Sequence, residues 1–132
     1  MERLNERLAV AARAAERLQQ ATGLPQLGEI ERDAIIQRFE FTFEAVWKAA
    51  QAYLLQVEGI DAASPKGVIR ACREVGLLDE VEATTALQMA DDRNLTVHTY
   101  NEPLAVQIFG RIMRYQFLLA KWLEIMQERW AK

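Results

Sequence analysis

The chain has 132 residues, of which 51% are hydrophobic and 27% charged, and six glycines and three prolines give it the profile of an ordinary soluble helical protein. Its single cysteine and single histidine exclude an internal disulfide and a zinc site built from Cys and His ligands. A formal net charge of −3 argues against coating of nucleic acid by bulk electrostatics and leaves open only a local basic patch. We therefore expect one domain over residues 1–132.

The N-terminal segment predicts an amphipathic helix. Apolar residues recur at steps of three and four from Leu4 to Leu18, and Gly23 and Pro25 end the pattern. The other face carries four arginines, Arg3, Arg7, Arg13 and Arg17. Charges interrupt the short apolar steps, and no run of about 18 apolar residues occurs anywhere in the chain. We therefore expect no signal peptide, no membrane association and a cytoplasmic location.

A second helical pattern runs from about residue 28 to residue 56. Its passage FEFTFE, residues 39–44, alternates apolar and polar residues like a strand. No Gly, Pro or Asn interrupts the pattern on either side, so a strand there would have no turn by which to enter or leave. We therefore predict a long helix whose aromatic residues face two neighbours.

Three further helices are predicted from their start and stop signals. Ser64 before Pro65 opens a short helix that Gly76 ends. Asp79, with Glu82 three residues later, forms a variant of the capping box for a helix that should fray near residues 92–100. Asn101 caps a last long helix, whose apolar stripe consists of Leu104, Ile108, Ile112, Tyr115, Leu119, Trp122 and Met126. The predicted fold is all-α, an up-and-down bundle of four to five helices.

Several residue groups have an ordinary structural explanation. An aromatic stripe favours core packing over a cofactor pocket; it comprises Phe39, Phe41, Phe43, Trp47, Phe109, Tyr115, Phe117 and Trp122. Glu40 and Glu44 lie one helical turn apart, but a di-metal bundle site also needs histidines on two other helices, so we predict no metal site. A Glu44 to Lys48 pair favours a solvent-facing or partner-facing edge instead.

Basic residues on the third and fifth helices are interpreted in the same way. Lys66, Arg70 and Arg73 share about one face of the short helix, and Arg111 and Arg114 share a face of the last helix. We predict solvated surface for both groups, with a nucleic-acid patch as the open alternative.

The stretch DDRNLTVHTYNE, residues 91–102, contains the only histidine of the chain, His98, with Arg93 five positions before it and Tyr100 two positions after it. The spacing alone is weak evidence, since an arginine falls near a lone histidine by chance in many chains. Cationic side chains near a helix C-terminus also complement the helix dipole. From these residues alone, a functional site and an ordinary helix end both remain open.

Three segments together carry a more specific resemblance. RFEFTFEAVWKAAQAYL (residues 38–54), SPKGVIRACREVGLL (64–78) and DDRNLTVHTYNEPLA (91–105) occur in the order and spacing of the nucleotidyltransferase substrate-binding protein family. This family is a branch of the HEPN superfamily. The similarity covers roughly residues 28–120, and RNLTVHTYNE is its most specific part.

The resemblance implies a dimeric helical bundle that forms a toxin–antitoxin pair with a small nucleotidyltransferase encoded beside it. In HEPN proteins the R-x(4–6)-H motif is associated with metal-independent ribonuclease activity, which would assign catalysis to Arg93 and His98 with Asn94 in support. In relatives with R-x4-H-x-Y, the partner transfers AMP from ATP to the tyrosine, here Tyr100. The chain itself would need no cofactor or metal, because ATP and Mg²⁺ would be used by the partner.

The chemistry of RNA cleavage fits these residue types. Attack by a 2′-hydroxyl needs a base, an acid for the leaving oxygen, and positive charge beside the phosphate. An imidazole titrates near neutral pH, so His98 can act as acid or base, and Arg93 can bind phosphate oxygens through its planar guanidinium. One histidine cannot do both jobs at once, which favours a two-fold homodimer that brings two motifs into one cleft.

The resemblance, taken with these residues, implies three hypotheses, of which the first is favoured and the third is the weakest. The first is an endoribonuclease toxin that acts on RNA and is neutralised when AMP is attached to Tyr100. The second is a non-catalytic subunit that binds a nucleotide or presents a substrate to the nucleotidyltransferase. The third is a helical dimer without a site.

Overall fold

The computed structural model describes residues 2–25, 27–98 and 100–131. Within these ranges the chain forms five α-helices and no strand, so the predicted all-α fold is confirmed. The helices are α1 (Glu2–Thr22), α2 (Glu29–Tyr53), α3 (Pro65–Glu74), α4 (Glu80–Leu95) and α5 (Glu102–Ala131). The passage FEFTFE lies inside α2, as predicted.

The helix N-termini are fixed by the predicted capping residues. Ser64 Oγ accepts a hydrogen bond from the Gly67 amide at 3.1 Å at the start of α3. At α4, Asp79 Oδ1 accepts from the Glu82 amide at 2.7 Å, and Glu82 Oε1 accepts from the Asp79 amide at 2.9 Å. Asn101 Oδ1 accepts from the Leu104 amide at 3.3 Å before α5. These contacts satisfy amides that a helix leaves without intrahelical partners.

The end of α2 differs from the predicted uninterrupted helix. The α-helix stops at Tyr53 and continues as one π-helical turn, Leu54–Glu58. Gly59 then adopts φ +69°, and the Ile60 amide donates to the Leu54 carbonyl at 2.9 Å. Glycine has no Cβ to clash in this left-handed conformation, so Gly59 can end the helix without strain.

The core lies where α1, α2 and α5 pack together, with α3 packed on α4 beside them. The predicted stripe of α5 faces this core, and the rings of Phe39 and Tyr115 stack at a centroid distance of 5.6 Å. Two members of the predicted aromatic core are exposed, however: Phe41 is 60% exposed and Phe117 is 71% exposed. Phe39 and Phe43 are one turn apart and share the buried face of α2, so Phe41 between them points outward.

The predicted fraying of residues 92–100 is wrong for its first part. The α-helical backbone of α4 continues to Leu95 and then tightens into a 3₁₀ turn, Thr96–His98. Thr96 is buried, and its hydroxyl donates to the Arg93 carbonyl at 2.6 Å. Across the ranges given above, no helix is both long and apolar enough to span a bilayer.

Candidate functional site

The predicted site residues lie along the connection between α4 and α5. Arg93 is in the last turn of α4, and Asn94 follows it with an exposed side chain. His98 ends the 3₁₀ turn, and Tyr100 stands just before α5. The carbonyl of His98 accepts a hydrogen bond from the Asn101 amide at 2.9 Å, which ties this connection to the cap of α5.

His98 and Tyr100 form one exposed polar pair. The imidazole Nδ1 lies 3.1 Å from the phenolic oxygen, and the rings meet edge to face with centroids 5.7 Å apart. When the hydroxyl donates to Nδ1, the neutral imidazole carries its proton on Nε2. Tyr100 is 83% exposed, so its oxygen is open to a reagent from solvent.

Arg93 faces two carboxylates on α2. Its Nε lies 3.6 Å from Glu44 Oε1, and its Nη1 lies 4.0 Å from Glu40 Oε2. These separations are too long for hydrogen bonds. Among the described residues, the buried Nε of Arg93 has no hydrogen-bond acceptor. The Arg93 side chain is 25% exposed, and its Nη groups are not among the buried atoms, so these donors are open to a phosphate oxygen.

The acids of α2 therefore belong to the surroundings of Arg93. Glu44 also pairs with Lys48 at 3.9 Å, as the sequence predicted. Together Glu40, Glu44, Lys48 and Arg93 contribute two negative and two positive charges. An incoming phosphate would compete with both carboxylates for Arg93.

A second arginine near the site is bound far more tightly. Arg111 donates to Asp92 through Nε at 2.7 Å and Nη2 at 2.9 Å, and the hydroxyl of Tyr115 donates to the same carboxylate at 2.5 Å. Asp92 is buried, and it precedes Arg93 in the chain. Desolvation, followed by the hydrogen bond to Asp92, raises the pKa of Tyr115 above its usual range. This network pins the last turn of α4 to α5 and so positions Arg93.

The Asp92 network was not predicted from the sequence. Arg111 was expected on a solvated surface with Arg114, whereas it is partly buried against Asp92. The two partners are 19 residues apart, so no local spacing rule connects them. One signal was present: Asp92 follows the buried Met89 by three residues, which puts a carboxylate on the buried face of α4.

Cys72 is not a candidate nucleophile. Its side chain is fully buried, and burial raises the pKa of the thiol to about 12, an effect that Trp122 partly offsets. A thiol in such surroundings stays protonated and unreactive. Across residues 2–25, 27–98 and 100–131, no cluster of three His, Cys, Asp or Glu side chains could hold a metal ion.

The structure thus brings some of the predicted residues together and not others. His98 contacts Tyr100, and Arg93 contacts Glu40 and Glu44, which the sequence analysis did not connect with the motif. Between Arg93 and His98 there is no hydrogen bond, as far as the described residues show. Within the chain, the two catalytic candidates therefore belong to two separate groups of contacts.

Comparisons with known proteins identify the family. A family model described as "nucleotidyltransferase substrate binding protein like" matches residues 6–128. A curated relative from Haemophilus influenzae, named probable ribonuclease HepT, is 29% identical over an alignment of 98 residues that covers 71% of this chain. The chain spans 66% of that relative's length.

Two solved structures share the fold. A Thermus thermophilus protein is 56% identical, with a TM-score of 0.85 over 88% of this chain and 98% of the other. A tri-AMPylated HEPN toxin from Shewanella oneidensis, in complex with MNT antitoxin, is 16% identical, with a TM-score of 0.76 over 95% and 96% of the two chains. The extent of the family match confirms the resemblance drawn from the three segments: the chain belongs to the nucleotidyltransferase substrate-binding protein-like family.

Proposed function

We propose that this chain is the HEPN-type toxin of a toxin–antitoxin pair, a metal-independent endoribonuclease that a partner nucleotidyltransferase silences by transferring AMP to Tyr100. Family membership supports the proposal, as do the relative named probable ribonuclease HepT and the AMPylated toxin that shares the fold. No cofactor of the chain itself is needed. The nucleotidyltransferase uses ATP and Mg²⁺.

In the proposed cleavage, the 2′-oxygen of a ribose attacks the adjacent phosphorus and the 5′-oxygen of the next nucleotide leaves. The products are a 2′,3′-cyclic phosphate and a free 5′-hydroxyl. His98 moves the proton at one of these oxygens, and Arg93 binds the phosphate oxygens as negative charge accumulates on them. Asn94, exposed beside Arg93, offers an amide to the same phosphate.

The observation that carries the proposal is the 3.1 Å contact between His98 Nδ1 and the Tyr100 oxygen. Silencing would start with attack of that oxygen on the α-phosphorus of ATP, with release of pyrophosphate and of the phenolic proton. The oxygen that then bears AMP is the one beside the imidazole. The modification therefore places an anionic phosphodiester and an adenosine where the RNA phosphate must bind.

A homodimer completes the proposed site. One protomer has a single histidine, and cleavage needs both a base and an acid. Exposed apolar side chains surround the motif: Leu95 is 39% exposed, Val97 66% and Val106 52%. Burial of these side chains against a second copy would stabilise a two-fold dimer and bring two motifs into one cleft. Sedimentation that finds only monomer at micromolar concentration would count heavily against this arrangement.

Expression of the chain alone tests the ribonuclease function in cells. We expect growth arrest, and relief of the arrest in His98→Ala produced at the same level. Gln107→Ala, an exposed substitution in the first part of α5, is the control and should arrest growth like the parent. Arrest that persists in His98→Ala would sink the catalytic assignment.

Intact-mass measurement tests the silencing step and separates the alternative function. After incubation with the partner nucleotidyltransferase, ATP and Mg²⁺, we expect a gain of AMP that disappears in Tyr100→Phe. Tyr53→Phe, which alters a buried tyrosine, should leave the gain unchanged. Binding of the partner with no gain of mass would favour the non-catalytic, substrate-presenting subunit.

A further inference from the structure

Two arginines of α1, Arg13 and Arg17, lie outside the proposed site and line a separate groove. Between α1 and α2 lies a groove of about 420 Å³, here called the basic groove, lined chiefly by Arg13, Arg17, Arg38, Gln37, Phe41 and Val10. None of its three arginines forms an ion pair with any side chain in the described parts of the chain. The groove therefore holds three arginines without an ion-pair partner, on a protein whose net charge is −3.

Two of the three arginines come from α1 and the third from α2. Arg13 and Arg17 are separated by one turn of α1, a rise of about 6 Å along the helix axis. Arg38 comes from α2, and its Nη1 donates to the Arg17 carbonyl at 2.8 Å. This hydrogen bond holds the planar guanidinium across the groove and leaves its other N–H groups for an anion.

An exposed aromatic side chain accompanies these charges. Phe41 is 60% exposed, and the neighbouring Val10 is 54% exposed. Guanidinium groups beside an open aromatic face suit a ligand that has both phosphates and flat rings. A single-stranded nucleic acid has both in regular alternation, and its bases stack on aromatic side chains whatever their sequence.

The surface continues from the basic groove to Arg93. Phe41 and Gln37 also line a second depression on α2, together with Asp33 and Glu40. Glu40 is one of the two carboxylates that face Arg93. A strand that lies in the basic groove can therefore cross Phe41 and reach the proposed catalytic arginine along one surface of α2.

We propose that the basic groove binds single-stranded RNA beside the cleaved phosphate, with Arg13, Arg17 and Arg38 on its backbone and Phe41 stacked on a base. This inference rests on the proposed ribonuclease function and adds a substrate-binding surface to it. An acidic segment of a partner protein would also meet the arginines. The RNA occupant is favoured because the groove leads to Arg93 and because the aromatic ring is open to stacking.

Binding of RNA to charge-reversed variants tests the proposal. The probe is a labelled single-stranded RNA of about 20 nucleotides, long enough to cover the groove and the site. All proteins carry His98→Ala, so that the probe stays intact. Arg13→Glu with Arg17→Glu should weaken binding at least tenfold. It should also lower the slope of log affinity against log salt by about 1.4, the value for two lost phosphate contacts.

Matched controls make the result specific. Arg70→Glu with Arg73→Glu changes the net charge by the same amount on α3, and we expect affinity within twofold of the parent. Phe41→Ala should weaken binding about tenfold, whereas Phe117→Ala, which alters a still more exposed phenylalanine on α5, should not. Circular dichroism and melting temperature confirm that each variant folds.

Equal weakening by the α1 and α3 variants would overturn the proposal, because it would show a response to net charge alone. Unchanged RNA affinity with lost binding of the nucleotidyltransferase would overturn it too, in favour of a protein-docking groove. If only the proposed ribonuclease function is wrong, the outcome is distinguishable from failure of the groove proposal. A parent chain with His98 intact that binds RNA through the basic groove, yet never cleaves it, would support the groove and contradict the ribonuclease.

Discussion

Asp92 is the buried charged residue that ties the last turn of α4, which carries Arg93, to α5. Its buried carboxylate accepts three hydrogen bonds, two from Arg111 and one from Tyr115. Loss of the negative charge from this network is costly, because it weakens two charge-assisted hydrogen bonds from the partly buried Arg111. Asp92→Asn should therefore lower the free energy of unfolding by about 2 to 4 kcal/mol, measured by urea denaturation.

The adjacent Asp91 provides the control for this prediction. Its carboxylate is exposed and pairs with Lys66 at 2.6 Å on the surface. Exposed ion pairs contribute little, so Asp91→Asn should cost less than about 1 kcal/mol. Equal losses for the two substitutions would show that the Asp92 network does not stabilise the end of α4.

The buried thiol of Cys72 makes the free energy of unfolding fall as the pH becomes alkaline. Burial raises its pKa from 9.0 to about 12 in the folded protein. Between these values the unfolded chain loses the thiol proton and the folded chain keeps it, so stability is full below about pH 9 and falls as pH rises. The slope contributed by this one group approaches 1.4 kcal/mol per pH unit at most.

Denaturation at several pH values measures this effect. In Cys72→Ala the free energy of unfolding should begin to fall only nearer pH 10. The remaining fall comes from Tyr115, whose pKa is raised above 10.0 in the folded protein, so that its hydroxyl ionises first in the unfolded chain. The substitution itself lowers stability at neutral pH by leaving a small gap in the core. Identical slopes between pH 9 and pH 10 in parent and variant would refute the assignment of this effect to Cys72.

Individual residues show which parts of the candidate site could be predicted from the sequence and which could not. Arg93, His98 and Tyr100 came from a family motif, and their roles stay predictions. Their surroundings could not be predicted, because Glu40 and Glu44 reach Arg93 from another helix. Composition likewise could not separate the buried Phe39 from the exposed Phe41, since that depends on the rotation of α2 against its neighbours.

At the scale of elements, helix ends were predicted well because their signals are local. The cap residues Ser64, Asp79 and Asn101 each contact an amide three residues ahead, which a sequence pattern captures. The π-helical turn after α2 was not predicted, because no residue pattern distinguishes it from continued α-helix.

Alanine substitutions at two glycines should change the free energy of unfolding in opposite directions. Gly59 has φ +69°, so Gly59→Ala should lower the free energy of unfolding by about 1 to 2 kcal/mol. Gly110 is an exposed residue in the middle of α5, and a methyl group added there would meet open space. Gly110→Ala should therefore raise the free energy of unfolding by about 0.5 to 1 kcal/mol. Thermal and urea denaturation measure both. A stabilising Gly59→Ala would contradict the positive-φ cap.

At the scale of the whole molecule, the helical periodicity of the sequence was enough to predict an all-α bundle. Apolar stripes on α1, α2 and α5 converge on one core, and each stripe is visible in the sequence without its partners. The proposed dimer could not be predicted from periodicity in this way. A dimer depends on how exposed residues such as Val97 meet a second copy, which is not encoded in the periodicity of one chain.

The positions of these residues in the whole molecule fit the proposed ribonuclease activity and its proposed control by a partner. Arg93 is positioned by contacts between α4, α5 and α2, whereas His98 and Tyr100 stand exposed at the connection that follows. The proposed catalytic arginine is thus built into the bundle. The proposed switch is left on its surface, where a partner enzyme can reach it.

Cleavage of RNA by the purified chain in the presence of EDTA tests the central claim most directly. We expect products with 2′,3′-cyclic phosphate ends and a rate that falls at least 100-fold in His98→Ala, roughly the lower range for loss of a general acid–base group. Gln107→Ala should cleave at the parental rate. Cleavage that requires a divalent metal, or that proceeds equally in folded His98→Ala, would contradict the proposed ribonuclease.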